Sequence, residues 1–305
     1  MPSSPDFAGR TIPAFPYSPS NLALISTDPL RGDTMANLTE PPARETTFYL
    51  GVPPSWAPRS SVPLMLSANA LMNYRLRGER SPVARSRYAL DSGGFSQVGK
   101  HGDYLLDSDA WGGMVYRIMD RFGAPPDFVS VQDFMTEPQI IARTGWTLER
   151  HQEFTVDSYL YLTREFEHAP WLPVLQGQRV EDYLAHCEKY EAAGVDLAAL
   201  PLVGVGSVCR RQGTRETGHI LAALAGRSLK LHGFGVKADG LRKYGHLLAS
   251  ADSYAWSSGA RHRQERLAGC SHQAADCRNC MRYALHWRDR VMDALRATQQ
   301  LTLAF

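Results

Sequence analysis

Three aspartates lie at the ends of short apolar runs in the sequence, where carboxylates could do chemistry. Asp91 and Asp133 each follow such a run, and Asp252 directly precedes the last one. Brought together, one carboxylate could attack an anomeric carbon and hold a covalent intermediate, while another moves a proton on the leaving group. A third could accept hydrogen bonds from the N–H groups of a base or sugar. Each aspartate alone is also typical of a turn or helix cap, so only their convergence favours a site.

Further polar residues and glycines follow other apolar runs. Gln176 offers both a donor and an acceptor, as recognition of an amide-like base edge requires. Gly204 and Gly206 would let backbone N–H groups come close to a ligand. A sugar polymer and a nucleoside both contain an anomeric carbon, so both substrates stay open at this point. The other candidate binding residues are Ser92, Gly93, His232, Phe234 and Lys237.

A compact group of cysteines and a histidine near the end of the chain predicts a metal site. The spacing is Cys270-x-His272-x4-Cys277-x2-Cys280. Three thiolates and one imidazole suit a closed, tetrahedral, structural zinc site. His286 is a competing fourth ligand, and its alternative interpretation is a surface histidine on an amphipathic helix. The two remaining cysteines, Cys187 and Cys209, are interpreted as unliganded.

Apolar, strand-like runs alternate with longer helical stretches after residue 46, and this order predicts the architecture. Eight such runs in about 210 residues match a (β/α)8 TIM barrel, an α/β fold, and a doubly wound sheet is the second choice. In a barrel, functional residues gather at the carboxyl ends of the strands. The predicted strands are Thr47–Val52, Leu64–Ala68, Tyr88–Leu90, Phe128–Gln132, Leu172–Leu175, Leu197–Val203, Leu229–Phe234 and Ser253–Trp256. The predicted helices cover 107–122, 147–167, 180–193, 215–225, 239–249 and 283–295.

The amino-terminal segment differs from the rest of the chain. Residues 1–45 contain 8 of the 19 prolines and no sustained period, which predicts a disordered leader. Met35 lies shortly before the first strand and is a possible alternative start. Residues 46–305 then form the barrel domain, including the zinc loop 270–280 and a carboxyl-terminal helix. No window approaches the ~18 apolar residues of a membrane span, and no secretion signal is visible, so we expect a soluble, cytoplasmic protein.

Charge is divided unevenly along the chain. Residues 205–305 contain 16 lysines and arginines against 7 aspartates and glutamates, whereas residues 1–204 contain 17 against 24. Such asymmetry is typical of a surface that faces a polyanion, and equally of an ordinary solvated surface. The arginines around the zinc loop could bind phosphates, or could pair with Asp276, Asp289 and Asp293. They are Arg261, Arg263, Arg266, Arg278, Arg282, Arg288 and Arg290.

These motifs together resemble the tRNA-guanine transglycosylase superfamily. The resemblance rests on Asp91-Ser92-Gly93-Gly94-Phe95 after a strand, on the aspartates and glycines at the other strand ends, and on the cysteine-rich loop after the last strand. It is closer still to the DpdA-type proteins, which place 7-deazaguanines in DNA. The runs LVGVGSVCRR, LHGFGVK and YGHLLASADSYAWS, at 202–211, 231–237 and 244–257, carry that closer likeness. The resemblance spans roughly residues 47–290.

The resemblance implies a TIM barrel with a zinc motif and a base-exchange reaction. Guanine leaves a nucleotide, and a 7-deazaguanine such as preQ0 replaces it, which makes the protein a pentosyltransferase. Asp252 would be the nucleophile at C1′, and Asp91 would be the general acid and base. Asp133 and Gln176 would read the purine edge, while backbone N–H groups near the glycines after the sixth strand would bind its carbonyl oxygen.

Differences from the tRNA enzymes argue against a standard tRNA enzyme and leave the polymer open. Ser96 separates the DSGGF run from Gln97, His272 replaces a cysteine in a longer zinc loop, and Ala251 replaces the usual aromatic residue before the nucleophile. No appended RNA-binding module is visible, which favours DNA or an RNA that the barrel alone reads. tRNA stays the alternative substrate, and a homodimer and a companion ATPase are possible partners. Two other functions stay open: a glycosidase that uses Asp91 and Asp252, and a zinc-stabilised nucleic-acid-binding protein with a degenerate site.

Overall fold

Parallel strands and surrounding helices make up the part of the chain that the computed structural model describes, residues 46–73, 85–208, 211 and 213–302. The strands are β1 (Thr47–Gly51), β2 (Leu64–Ser67), β3 (Tyr88–Asp91), β4 (Val129–Ser130), β5 (Trp171–Leu172), β6 (Val174–Leu175), β7 (Val203–Val205), β8 (Leu231–Gly233) and β9 (Ser250–Ser253). The helices are α1 (Ala68–Met72), α2 (Gly94–His101), α3 (Ser108–Phe122), α4 (Pro138–Thr144), α5 (Leu148–Glu165), α6 (Val180–Ala192), α7 (Arg215–Gly226), α8 (Ala238–Tyr244), α9 (Ala255–Arg263) and α10 (Met281–Thr302).

The nine strands occupy eight positions around a nearly closed barrel. Their order is β5-β4-β3-β2-β1-β9-β8-β7-β6, and every neighbouring pair is parallel. Only Pro173 separates β5 from β6, because proline has no N–H to donate to a ladder. Its carbonyl still accepts a hydrogen bond from the Gly204 nitrogen at 2.8 Å. β5 and β6 therefore act as one barrel strand, and the predicted TIM-barrel fold is confirmed.

Alternation along the strands separates two apolar cores. A small cluster fills the barrel, formed by Tyr49, Met65, Ala89, Phe128 and Leu172. The larger cluster, which includes the intervening strand residues, packs between the sheet and the helices. Side chains two residues apart face the same way, so Asp91 follows Ala89 on the inner face. Asp252 pairs in register with Tyr49 and shares that face. The two aspartates therefore both point into the barrel near its carboxyl end.

Two of the predicted strands are wrong in position, and interactions of neighbouring residues explain each difference. The stretch Leu197–Leu200 forms a turn, because the Asp196 carboxylate accepts hydrogen bonds from the backbone nitrogens of Ala198 and Ala199 at 3.1 and 3.2 Å. Pro201, which has no N–H, follows it. The sixth barrel strand is therefore β7, the short run VGV.

The last strand also lies earlier than predicted. Trp256 belongs to α9, where it is fully buried, stacks on Trp56 and donates to the Gly51 carbonyl at 2.8 Å. The strand is instead the polar run Ser250–Ser253, held between β1 and β8. This correction places Asp252 near the end of its strand, as Asp91 is at the end of β3.

The carboxyl-terminal region packs against one side of the barrel. The predicted zinc loop lies between α9 and α10, and α10 packs against α8 and β1. The predicted leader at 1–45, Met35 and Cys209 lie outside the described residues. No helix in the described ranges is long and apolar enough to cross a membrane.

Two adjacent glycines in α3 give a test of the helix packing. A Cβ at Gly112 would lie 2.4 Å from the Phe166 ring at the end of α5, whereas one at Gly113 would meet only the flexible Arg117 side chain at 3.4 Å. We expect Gly112→Ala to lower the free energy of unfolding by about 1–3 kcal/mol, because overpacking forces neighbours apart. Gly113→Ala, the matched control, should raise it by up to ~1 kcal/mol through helix propensity. Urea unfolding measures both, and equal effects would contradict the packing described.

Candidate active site and metal centre

Asp252 is held through one of its two carboxylate oxygens. The Gly235 nitrogen donates to Oδ1 at 2.9 Å, and His232 Nε2 lies 3.4 Å from the same atom. The side chain keeps 13% of its surface exposed. Among the described residues, hydrogen bonds to this carboxylate reach Oδ1 alone. Oδ2 is therefore the oxygen available to a ligand at the barrel mouth.

His232 is a fully buried support for Asp252. Its Nδ1 lies 2.8 Å from Ser250 Oγ, on the neighbouring strand. The imidazole packs among the rings of Tyr49, Phe128 and Phe234, at centroid distances of 6.1, 4.7 and 4.6 Å. Because the ring cannot turn without disturbing this packing, Nε2 stays directed at Asp252.

Asp91 lies at the end of β3 with donors on two sides. The Ser67 hydroxyl and the Gly93 backbone nitrogen hydrogen-bond to its carboxylate. Gly93 has a φ of +75°, a conformation that glycine adopts without strain, and its carbonyl accepts from Asn69 Nδ2 at 3.1 Å. Burial, and then the negative charge of Asp252, raise the pKa of Asp91 to about 6. A carboxyl group with that pKa can both give and take a proton near neutral pH.

Asp133, just after β4, is more deeply enclosed. Gln176 Nε2 donates to its Oδ2 at 2.5 Å, and Ser92 Oγ donates to its Oδ1 at 3.3 Å. Burial, followed by the charge of Asp91, raises the pKa of Asp133 to about 7. Tyr104 supports the same turn, because its hydroxyl donates to the Asp133 backbone carbonyl at 2.7 Å.

The remaining predicted residues continue this arrangement around the mouth. A Cβ at Gly206 would lie 2.2 Å from Gln176 Nε2, so the amide lies directly over that glycine. A Cβ at Gly204 would lie 2.7 Å from the Phe234 ring, which in turn touches His232. Lys237 lies further out, at the amino-terminal cap of α8, with its side chain exposed. Asp91 thus lies between two groups that feel its charge: Asp133, which is bonded to Gln176, and Asp252, which lies beside His232.

Sequence reasoning missed three side chains that support the site. Tyr104 lies on the loop before α3, and nothing in its neighbourhood signals a role. Ser207 has a φ of +53° and donates to Gln176 Oε1 at 2.6 Å. Glu137 occupies the N-cap position of α4 just before Pro138, a pattern typical of an ordinary helix start. Its position four residues after Asp133 was the one available signal.

The predicted metal ligands converge. The four ligand atoms of Cys270, His272, Cys277 and Cys280 all lie within 4.8 Å of one another. Cys270 Sγ is 3.6 Å from Cys280 Sγ and 3.8 Å from Cys277 Sγ, and His272 Nε2 is 3.3 Å from Cys277 Sγ. Tetrahedral zinc with bonds of about 2.3 Å would separate its sulfurs by about 3.8 Å. The donor set and spacing fit a metal ion, whereas His286 is exposed on α10.

Outer contacts already orient this donor set. His272 Nδ1 lies 3.2 Å from the Ala274 carbonyl, which favours a proton on Nδ1 and leaves Nε2 as the ligand atom. The Leu267 nitrogen donates to Cys277 Sγ at 3.3 Å. Arg266 binds the carbonyls of Cys270 and His272 at 3.0 and 2.8 Å. These hydrogen bonds therefore hold the loop in a conformation in which the four ligand atoms face one another.

Several arginines predicted to bind phosphate are used within the protein. Arg278 forms a forked ion pair with the buried Asp276, as the alternative interpretation expected. Arg263 pairs with Glu265 at 2.5 Å, and Arg282 binds the Gly269 carbonyl at 2.8 Å. Arg266 is the fourth of the seven arginines to be used in this way, and all four bond to groups within the predicted zinc loop or next to it.

Comparison with known proteins identifies the family. The DpdA family, described as "DeoxyPurine in DNA protein A", matches residues 44–304. The chain belongs to the DpdA family. DpdA proteins are 7-deazaguanine DNA-modification enzymes related to the tRNA-guanine transglycosylases, so the predicted resemblance is confirmed.

Other comparisons add little. No curated protein matches the chain. A crystal structure from Sinorhizobium meliloti, of a protein described as a candidate isomerase in an open-loop conformation, is 11% identical with a TM-score of 0.35. The match covers 69% of this chain and 51% of the Sinorhizobium meliloti protein, so this chain spans about half the length of that protein. A likeness this low carries no argument about activity.

The raised pKa of Asp133 predicts how stability depends on pH. An unfolded aspartate has a pKa of about 3.9, so between that value and about 7 the folded state binds more protons and stability falls as pH rises. Asp133→Asn removes this charge while its amide oxygen can still accept from Gln176. At pH 8 we expect the variant to be more stable than wild type, by about 1.4 kcal/mol for each unit between the folded and unfolded pKa of Asp133. At pH 5 this gain in stability should be smaller. Urea unfolding at both pH values measures this, and a variant less stable at pH 8 would contradict it.

Proposed function

We propose that this protein exchanges guanine in DNA for a 7-deazaguanine base such as preQ0, through a covalent bond between Asp252 and the nucleotide. The observation that supports it is the convergence of Asp91, Asp133 and Asp252 on one barrel mouth, within reach of each other's electrostatic fields. Membership of the DpdA family supports the same activity class and DNA as substrate.

In the first half of the reaction, Asp252 Oδ2 attacks C1′ of the target nucleotide. The bond from C1′ to guanine breaks, and guanine leaves with a proton from Asp91. The Gly235 nitrogen positions the carboxylate by donating to Oδ1, and His232 packs beside it with Nε2 at 3.4 Å. A carboxyl with a pKa of about 6 is partly protonated near neutral pH, as this step requires.

In the second half, the incoming 7-deazaguanine loses its N9 proton to the Asp91 carboxylate, and N9 attacks C1′. The ester bond to Asp252 breaks, so both aspartates return to their starting states. No redox step or nucleoside triphosphate is needed for this exchange.

Recognition of the base falls to the neighbouring residues. An ionised Asp133 can accept the N–H groups of a guanine edge, with Gln176 beside it. Backbone groups at Gly204 and Gly206 would bind the carbonyl oxygen. Ser92 would act by holding Asp133, and Phe234 and Lys237 would contact the nucleotide around the mouth. Since a paired base is shielded, the target nucleotide must leave the stack.

The Cys270–Cys280 cluster would hold a structural zinc ion that joins α9 to α10. Bound there, zinc would supply cross-linking of the loop rather than chemistry, because four protein ligands leave no open position. The homodimer, the companion ATPase and the cytoplasmic location stay predictions.

The metal proposal has a direct test. Elemental analysis should find about one zinc per purified chain, and Cys277→Ser should remove it and lower the melting temperature. Cys187→Ala is the matched control, because Cys187 is buried in α6 outside the ligand group. It should keep the zinc even if it loses stability. Metal-free wild-type protein with an unchanged melting temperature after chelation would contradict the proposal.

Labelled preQ0 tests the reaction and its polymer together. Wild-type protein should incorporate label into guanine-containing DNA but not into tRNA, and Asp252→Asn should incorporate none. Asp91→Asn should slow incorporation by about 10²–10⁴-fold, the usual contribution of a general acid and base. Asp120→Asn, an exposed aspartate on α3, is the control. Label in tRNA alone would overturn DNA as substrate, and label in neither would overturn the function.

A further inference from the structure

Four buried polar side chains form a line that ends in a carboxyl group on each side. Asp133 Oδ2 lies 2.5 Å from Gln176 Nε2, Gln176 Oε1 lies 2.6 Å from Ser207 Oγ, and Ser207 Oγ lies 2.8 Å from Glu137 Oε2. All are at most 8% exposed. The Thr136 nitrogen also donates to Ser207 Oγ at 3.0 Å.

The number of protons in this line is limited. With Gln176 Nε2 facing Asp133, the single Ser207 proton faces two acceptors, Gln176 Oε1 and Glu137 Oε2. One of these contacts then lacks a proton unless Glu137 carries one. If the amide is turned over, Gln176 donates to Ser207 and its oxygen faces Asp133, so Asp133 must be protonated instead. Each arrangement needs one carboxylic proton, and its position is tied to the direction of the amide.

The surroundings of Glu137 favour the proton on that side. Its Oε1 is buried without a hydrogen-bond partner, and no lysine or arginine among the described residues lies within ion-pair distance of either oxygen. The nearby Arg211 is used on the carbonyls of Gly177 and Ser207, and pairs with Glu216. An unpaired buried carboxylate costs far more than a neutral acid in the same place.

We propose that Glu137 is held as a neutral acid and, through Ser207, fixes Gln176 with its amide nitrogen toward Asp133. Both are positioning residues, because they act on the site through Gln176. The consequence is that Asp133 stays free to ionise and present an acceptor. This consequence for the substrate rests on the proposed function: an ionised acceptor selects bases with a donor edge, such as guanine and 7-deazaguanine, over adenine.

Infrared spectroscopy of the full chain tests where the proton lies. At pH 8 the wild-type protein should show the carbonyl band of a neutral carboxylic acid, sensitive to D₂O. Glu137→Gln should remove the band, Asp133→Asn should keep it, and Ser207→Ala should shift it because the acid loses its acceptor. Glu153→Gln, on the exposed face of α5, is the control and should leave it unchanged. A band that is absent from wild type, or lost in Asp133→Asn alone, would overturn the proposal.

Base-exchange kinetics separate this inference from the proposed function. Ser207→Ala should raise KM for the incoming base about tenfold with kcat unchanged, since one hydrogen bond of about 1.4 kcal/mol corresponds to that factor. Glu137→Gln should behave like wild type, because its amide also donates to Ser207. If the infrared band is present but no exchange occurs, the function fails and the proton assignment stands. If base exchange occurs but the infrared band is absent, the proton assignment fails and the proposed function stands.

Discussion

Like charges held close together in a buried place are the constraint on which this site depends. Asp91 raises the pKa of Asp133, and Asp252 raises that of Asp91, on top of the effect of burial. A parallel barrel produces this crowding because all its strands end at one mouth. Because the pKa values of Asp91 and Asp133 are raised to about 6 and 7, the site keeps a proton near neutral pH. That retained proton is what the proposed base-exchange reaction needs.

The protein stabilises this arrangement with donors from many elements. Serine hydroxyls, a backbone nitrogen and a glutamine amide each satisfy one carboxylate oxygen, while a buried histidine stands beside Asp252. The donors fix geometry as well as charge, because Asp133 is held through both of its oxygens, whereas Asp252 is held through Oδ1 alone. The ligand group of Cys270, His272, Cys277 and Cys280 would serve the same end with a metal ion bound, because it would hold the chain between α9 and α10, after the strand that contains Asp252.

Much of this could be predicted from local patterns, and the rest depended on distant contacts. The spacing of Cys270, His272, Cys277 and Cys280 is local and identified the ligand group. Asp91 was found because a strand signal precedes it. The strand containing Asp252 was misplaced, since Ser250–Ser253 has little strand propensity and forms only by pairing with β1 and β8. Ser207 and Glu137 meet across 70 residues, so no window of sequence joins them.

The site of covalent attachment is the measurement that tests this account most directly. Wild-type protein incubated with guanine-containing DNA, denatured and digested with trypsin, gives peptides that separate the three aspartates. The account predicts a nucleotide adduct on the peptide 244–261, which contains Asp252. An adduct on 88–100, which contains Asp91, or on 122–143, which contains Asp133, would contradict it.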